Sequence, residues 1–141
     1  LTDLGASRIV SREEMLDDPG KPMESGVWGG CIDCVGGQIL ARAIKQMNYG
    51  CGIASLGNTA GVKMEASIIP FLLRGVAVLG IDSVMVPVAE REKIWTALDA
   101  GMPRDELESM AEEIGLADVP EYGKKILEGK VRGRILVNVN N

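Results

Sequence analysis

CGIASLGN, residues 51–58, is a run of small and apolar residues that ends in a glycine and an asparagine. A short apolar run of this kind is typical of a strand buried on both faces of a parallel sheet. A second such run is VAVLGI, residues 76–81, and the apolar segment SIIPFLLRG, residues 67–75, lies between the two. Its length and its position indicate a helix, so the three segments together predict a right-handed βαβ unit.

Polar or glycine residues follow both predicted strands directly. In open α/β sheets, ligands bind beyond the carboxyl ends of the strands. The first candidate binding residues are therefore Gly57, Asn58, Asp82 and Ser83.

Strands and helices are predicted to alternate along the whole chain, which is the pattern of an α/β fold. Residues 1–4 are expected to form the last turn of a helix capped by Gly5. The remaining strands are expected at 7–10, 31–35 and 131–139, and the helices at 38–47, 90–100 and 117–128. Segment 107–114 fits either a strand or a helix, and we favour a strand.

Composition and charge exclude several classes of function. The net charge of −5 argues against binding to nucleic acid or to anionic membranes, which requires a basic face. The chain has no histidine, which removes histidine-based metal sites and Ser-His-Asp triads. Its three cysteines are an odd number, which suits free thiols in a reducing compartment. We therefore expect a cytoplasmic protein with no metal site.

Two sequence motifs are judged to be coincidental. Cys31 and Cys34 have the spacing of a redox pair, but both fall in a predicted strand, where residues three apart point to opposite faces. We expect them to be buried structural cysteines. The segment from Gly50 to Ser55 nearly matches the dinucleotide-binding glycine fingerprint, but it enters a strand where that fingerprint must open a helix.

Other polar residues allow two interpretations each. Asp33 lies within an apolar predicted strand, and its carboxylate either orients a ligand or caps nearby loop amides. Asp82 and Ser83 either bind a ligand or form a turn with their own backbone. Arg132 and Arg134 fit a solvated strand edge better than a phosphate site. Since no nucleophile, base and orienting group occur together, no catalytic residue is assigned.

Several stretches resemble one family in both order and spacing: LGASRIV, CIDCVGG, MNYGCGIASLGN, IIPFLLRGVAVLGIDSVM and KILEGKVRGRILVNVN. They resemble the C-terminal part of the medium-chain dehydrogenase/reductase superfamily. The most similar branch is the zinc-free, quinone-oxidoreductase-like group that includes bacterial NADPH-dependent acryloyl-CoA reductases.

The resemblance implies a subunit with a GroES-like catalytic domain and a Rossmann domain that holds NADPH. Residues 1–141 match only the rear part of the Rossmann domain, a doubly wound parallel sheet whose first βαβ unit is missing. The chain begins with leucine in what resembles the end of a helix, so we expect it to be a piece of a longer protein. The family's phosphate-binding loop would precede Leu1.

The resemblance also implies which residues approach the coenzyme. Gly57, Asn58 and Ser83 are expected near the nicotinamide, and Leu72 is expected to form a wall of its pocket. Asn140 matches a C-terminal position near the cofactor, and Arg8 would lie on the adenine side. Asn58 replaces an apolar residue of the family, so its contact is expected to be through the backbone.

The absent strands have a physical consequence. The doubly wound order is 3-2-1-4-5-6, and without strands one and two the remaining strands cannot form one continuous sheet. The strand at 31–35 would then expose an apolar edge. We expect the chain to self-associate or to leave its first 25 or so residues poorly packed. In the intact family, the strand at 76–81 is also expected to pair across a dimer.

The resemblance leads to one functional hypothesis and leaves one alternative. The first is a reductase that transfers hydride from NADPH to an enoyl-CoA, such as acryloyl-CoA, or to a quinone-like acceptor. The alternative is a non-catalytic α/β module that binds a ligand or a partner. The 141 residues alone are expected not to oxidise NADPH.

Overall fold

The first unit of the protein, Leu1–Val86, is built on a three-stranded parallel sheet in a computed structural model that describes residues 1–141. Its strands are β1 (Cys31–Asp33), β2 (Gly52–Ser55) and β3 (Ala77–Gly80), and they lie in that order. Its helices are α1 (Arg12–Leu16), α2 (Gly37–Lys45) and α3 (Ile69–Arg74), and a 3-10 turn covers Thr2–Leu4. The predicted βαβ unit, β2–α3–β3, is confirmed.

Helix α2 covers one face of this sheet. Leu40, Ala43 and Ile44 of α2 pack against Ile53 of β2 and Val76, and Met47 completes this core. In register, Cys31, Ile53 and Val78 point to the covered face, so Ile32, Ala54 and Leu79 alternate to the other face. Ile32 is 77% exposed and Leu79 is 58% exposed. Burial of the sheet on both faces, as predicted, is therefore wrong for these residues.

Local sequence explains where the helices begin and end. Ser11 caps the N-terminus of helix α1, since its hydroxyl accepts the Glu14 N–H. Pro70 lies in the first turn of α3, where its missing N–H costs little, and Gly75 ends that helix in the left-handed conformation. Gly5 likewise follows the first 3-10 turn at φ 90°, as the sequence predicted.

The second unit, Pro87–Asn141, contains a two-stranded parallel sheet of its own. Its strands are β4 (Ala111–Gly115) and β5 (Arg134–Asn138). Its helices are α4 (Val88–Gly101), α5 (Arg104–Ser109) and α6 (Val119–Leu127), and a 3-10 turn at Leu116–Asp118 precedes α6. Ile114 of β4 is its buried hydrophobic residue. No helix of the structure is both long and apolar enough to cross a membrane.

Two predicted strands need correction. Residues 7–10 are irregular, because no neighbouring strand supplies the hydrogen bonds that a strand requires. Segment 107–114 is divided between the end of α5 and most of β4, so a single strand was wrong. The α/β class is confirmed, and the strands fall into two sheets, as expected for an incomplete doubly wound order.

An irregular segment, residues 17–28, crosses the polar side of α2 and is held there by ion pairs. Arg42 Nε lies 2.6 Å from Glu24 Oε1, and both side chains are largely buried. Lys45 Nζ lies 2.5 Å from Asp18 Oδ2. Arg74 donates to the main-chain carbonyls of Met47 at 2.8 Å and of Glu24 at 2.5 Å. None of the first 25 residues is fully buried. Besides these charges, main-chain hydrogen bonds attach the segment near the end of α2, among them Glu24 N–H to the Lys45 carbonyl at 3.0 Å and Val27 N–H to the Gln46 carbonyl at 2.8 Å.

Candidate functional site

A groove opens at the carboxyl ends of β2 and β3. Its volume is about 550 Å³, and its lining consists of Ser55, Leu56, Gly57, Asn58, Gly80, Ile81 and Asp82. A second groove of about 350 Å³ shares Ser55, Gly57, Asn58 and Gly80 and extends to Lys63. Volumes of this size suit a small ligand or part of a coenzyme. The place predicted from the sequence, beyond the ends of these strands, thus has an open groove with both polar and apolar residues in its lining.

Gly57 is where the loop after β2 touches the loop after β1. A Cβ atom added at Gly57 would lie 2.2 Å from the Cys34 carbonyl oxygen and 2.6 Å from its carbon. Both are backbone atoms and cannot rotate away. Position 57 therefore accepts only glycine without a shift of the main chain.

Two consecutive glycines in the loop after β1 also allow this close contact between the two loops. Gly36 and Gly37 have φ values of 69° and 59°, in the left-handed region that favours glycine. A Cβ at Gly36 would meet the Gly57 carbonyl at 3.2 Å. The Ala60 N–H also donates to the Val35 carbonyl at 2.8 Å. Main-chain contacts thus position the groove-lining loop, residues 57–61, against residues 34–37.

Asp33 stabilises the same contact from within. Asp33 is buried, with 5% of its surface exposed. Oδ1 accepts the N–H groups of Val35 at 3.0 Å and Gly36 at 2.9 Å, and Oδ2 accepts the Ser55 hydroxyl at 2.8 Å. Of the two interpretations open at the sequence level, the structure has the carboxylate capping loop amides. The bond to Ser55 across the sheet was not predicted.

Asp82 forms a turn with its own backbone. Its Oδ1 accepts the N–H groups of Val84 at 2.9 Å and Met85 at 3.1 Å. These two bonds stabilise the ionised form and lower the pKa of Asp82 below its usual range. Between the two interpretations offered by the sequence, the structure therefore has the turn, although Asp82 also lines the groove.

This turn predicts a specific dependence on pH. A lowered pKa means that Asp82 contributes stability in full above the ordinary value of about 3.9 and loses it as the pH falls through the lowered pKa. We expect the side-chain carboxyl of Asp82 to titrate below that ordinary value in carbon NMR. Asp82→Asn keeps an oxygen for both amides and should remove this part of the acid sensitivity of unfolding. A midpoint at or above the ordinary value would contradict the predicted turn.

The lining of this groove does not include the other predicted site residues of the first unit, Ser83, Leu72 and Arg8. Ser83 is exposed and follows Asp82 directly, but it is not part of the lining. Leu72 lies on α3 and is 69% exposed. Arg8 is paired with Glu14 in the N-terminal segment. Asn140 lies in the second unit, where its N–H donates to Asn138 Oδ1.

The cysteines are all free thiols. Cys31 is half-buried, and this burial raises the pKa of its thiol, so its reactivity is low. Cys34 is exposed, so the expectation that both are buried is wrong for Cys34, which lies past the end of β1. No group of three or more His, Cys, Asp or Glu side chains is placed to hold a metal ion. Arg132 and Arg134 are exposed, as expected for a solvated edge.

A further groove of about 240 Å³ lies beside β1 and is lined mainly by apolar side chains, among them Met15, Trp28 and Leu40. Its carboxylate, Asp33, already accepts three hydrogen bonds within the protein. The groove at the ends of β2 and β3 combines glycines with the polar side chains of Ser55, Asn58 and Asp82, and is the better ligand site.

Sequence reasoning missed two features. Ser55 lines both grooves at the strand ends, and the only signal was a hydroxyl at the end of an apolar strand. The Glu24–Arg42 ion pair was also missed, because the sequence does not reveal that residues 17–28 fold back over α2.

No family model matches this chain. Individual known proteins nevertheless match nearly its whole length. Acrylyl-CoA reductase AcuI of Ruegeria pomeroyi is 48% identical over 140 residues, which are 99% of this chain and 42% of that protein. The crystal structure of the yhdH oxidoreductase from Salmonella enterica, in complex with NADP, superposes with a TM-score of 0.90 at 40% identity. That match covers 98% of this chain and 42% of the Salmonella chain.

The Bacillus subtilis protein yhfP, solved with NAD bound, superposes with a TM-score of 0.89 at 36% identity and covers 98% of this chain and 42% of its own. The chain thus spans about two fifths of the length of the relatives it matches. These matches confirm the predicted partial Rossmann fold.

Proposed function

We propose, from the premise that this chain is a partial Rossmann domain related to the acrylyl-CoA reductases and quinone oxidoreductases, that it forms the rear part of the coenzyme domain of a longer NADPH-dependent reductase. The observation that carries the proposal is the groove at the carboxyl ends of β2 and β3. It lies where the Rossmann fold binds nucleotides. Relatives solved with NADP, NADPH and NAD support this choice of coenzyme.

The groove residues fit the uncharged end of that coenzyme. Gly57 and Gly80 allow close approach to the backbone, while Ser55 and Asn58 offer hydrogen-bonding groups. Lys63, in the adjoining groove, is the one cation of the two linings, so the geometry suits nicotinamide and ribose better than pyrophosphate. The phosphates are then held by residues outside positions 1–141. When bound, NADPH supplies the hydride.

We assign the residue roles as follows. Gly57 and Asn58 contact the nicotinamide through their main chain, and Ser83 approaches it from the turn after β3. Leu72 forms a side wall, Arg8 lies toward the adenine, and Asn140 contacts the coenzyme from the C-terminal end. The support for Gly57 and Asn58 is their place in both grooves. For the other four residues the support is the family resemblance.

The acceptor we propose is an enoyl-CoA such as acryloyl-CoA. The reaction adds a hydride from the coenzyme and a proton from water across the carbon–carbon double bond. The groove at the ends of β2 and β3 has Asp82 as its one titratable side chain, so we expect stabilisation of the developing enolate to come from elsewhere in the protein. A quinone-like acceptor is the second candidate, because the relative YhfP of Bacillus subtilis, 36% identical over 140 residues, carries a quinone oxidoreductase name.

The test is an NADPH-oxidation assay of the longer protein that contains this chain, with acryloyl-CoA and with a quinone as acceptors. We expect turnover with acryloyl-CoA and none by the 141 residues alone. Preference for the quinone would select the second acceptor. No NADPH binding or oxidation by the longer protein would leave the non-catalytic module as the function.

We also propose a zinc-independent, cytoplasmic homodimer. The support for zinc independence is the resemblance to the zinc-free branch of the superfamily, and the support for the cytoplasm is the odd number of cysteines, all of them free. The support for dimerisation is the edge of the first sheet, where β3 pairs only with β2 and leaves its other side without a strand partner. Light scattering on the longer protein tests this assembly, and a monomer at assay concentration would refute it.

A further inference from the structure

Asp33 is a buried carboxylate whose hydrogen bonds reach the loop after β1 and the end of β2, although it is not part of the lining of either groove at the strand ends. Its Oδ1 holds the amides of Val35 and Gly36, and its Oδ2 accepts the hydroxyl of Ser55. All three partners belong to the strand ends and loops that shape the groove. The carboxylate therefore acts at a distance, through the groups that it fixes.

The first of these effects is on the loops. Residues 34–37 are held by Asp33, and they in turn carry the loop at 57–61. The contacts are the Val35 carbonyl with the Ala60 N–H and the Cys34 carbonyl beneath Gly57. A shift of Val35 or Gly36 would therefore move the main chain of Gly57 and Asn58, which line the groove.

The second effect is on the direction of one hydroxyl group. A serine hydroxyl has one hydrogen to donate and two lone pairs to accept. A carboxylate oxygen can only accept, so the hydrogen of Ser55 is committed to Asp33 Oδ2. Ser55 consequently offers only acceptor lone pairs to the grooves that it lines.

We propose that Asp33 is a positioning residue that makes Ser55 Oγ an obligatory acceptor for an N–H or O–H donor of the bound coenzyme. Both the nicotinamide carboxamide and the ribose hydroxyls carry such donors. This inference rests on the proposed function. It specifies the direction of one hydrogen bond in the groove, which the shape of the groove does not determine.

The variant Asp33→Asn tests the direction of this hydrogen bond. Its side-chain amide retains an oxygen for the N–H groups of Val35 and Gly36, but its NH₂ group donates to Ser55 Oγ. The Ser55 hydrogen then turns into the groove and opposes the donor of the ligand. In the longer protein, we expect the dissociation constant of NADPH, measured by fluorescence titration, to rise about tenfold.

Further variants separate this effect from a loss of folding. Ser55→Ala removes the acceptor and should weaken NADPH binding to a similar extent, and the double variant should be no weaker than either single one. Asp18→Asn alters a carboxylate that pairs with Lys45 and lines neither groove, so NADPH binding should not change. Ser55→Ala alone tests the proposal if Asp33→Asn fails to fold.

A coenzyme analogue distinguishes the two possible donors. In 3-acetylpyridine adenine dinucleotide phosphate an acetyl group replaces the carboxamide and removes its N–H. If the carboxamide is the donor, Ser55→Ala will weaken NADPH binding but not analogue binding; if a ribose hydroxyl is the donor, it will weaken both. Unchanged NADPH binding in both single variants, or additive effects in the double variant, would overturn this inference alone. No NADPH binding by the unmutated protein would overturn the proposed function with it.

Discussion

Gly57→Ala is expected to destabilise the first unit by about 3 kcal/mol and to abolish coenzyme binding at the groove. The added methyl group would lie 2.2 Å from the Cys34 carbonyl, so the loops after β1 and β2 must separate. Chemical denaturation with urea gives the change in stability, and NADPH titration gives the loss of binding. Since this contact is between main-chain atoms, no rotamer change can relieve it.

Gly80→Ala is the matched control. Gly80 lines the same two grooves and lies at the end of β3, but a Cβ there would have no atom within 4 Å. Its φ also lies outside the left-handed region. We expect the free energy of unfolding of this variant to lie within about 0.5 to 1 kcal/mol of the value for the unmutated protein. Equal destabilisation by the two substitutions would refute the close approach of the loops at Gly57.

The second large effect is expected for Glu24→Ala. This substitution leaves the Arg42 guanidinium largely buried without its carboxylate, and it removes the hydrogen bond from Gln46 Nε2 to Glu24 Oε2. Breaking one side of a buried ion pair costs about 3 kcal/mol, because the remaining charge stays desolvated. The measurement is the urea midpoint of the first unit. Residues 17–28 should also lose protection from amide hydrogen exchange.

Glu14→Ala is the control for this prediction. Glu14 pairs with Arg8, and at least half of each side chain is exposed. An exposed ion pair contributes about 0 to 1 kcal/mol, so this variant should unfold close to the unmutated protein. A Glu24→Ala variant that unfolds at the same urea concentration as Glu14→Ala would show that the crossing segment is not held by its charges.

Much of the first unit was predictable from the sequence because local patterns determine it. The apolar runs became β2 and β3, and the apolar positions of α2 form the core. Gly5 was predicted to end the first helical turn, because glycine readily adopts the left-handed conformation found there. The predicted resemblance also agrees with the match to acrylyl-CoA reductase AcuI, which extends over 140 residues of this chain.

What failed depended on contacts distant in sequence. Residues 7–10 have the composition of a strand, but a strand needs a partner, and the sequence does not show whether one is present. The Asp33–Ser55 bond connects positions 22 residues apart and follows from the register of β1 with β2. Ser83, Leu72, Arg8 and Asn140 were assigned by resemblance, and their roles remain predictions.

One face of the first sheet leaves Ile32 and Leu79 exposed to solvent, and this exposure affects how the polypeptide behaves during purification. Exposed apolar side chains on neighbouring strands promote association with the same surface on other molecules. When the 141 residues are expressed without the rest of the longer protein, we therefore expect them to aggregate into inclusion bodies. Charged replacements at the two positions are the simplest remedy, because neither side chain belongs to the α2-covered core.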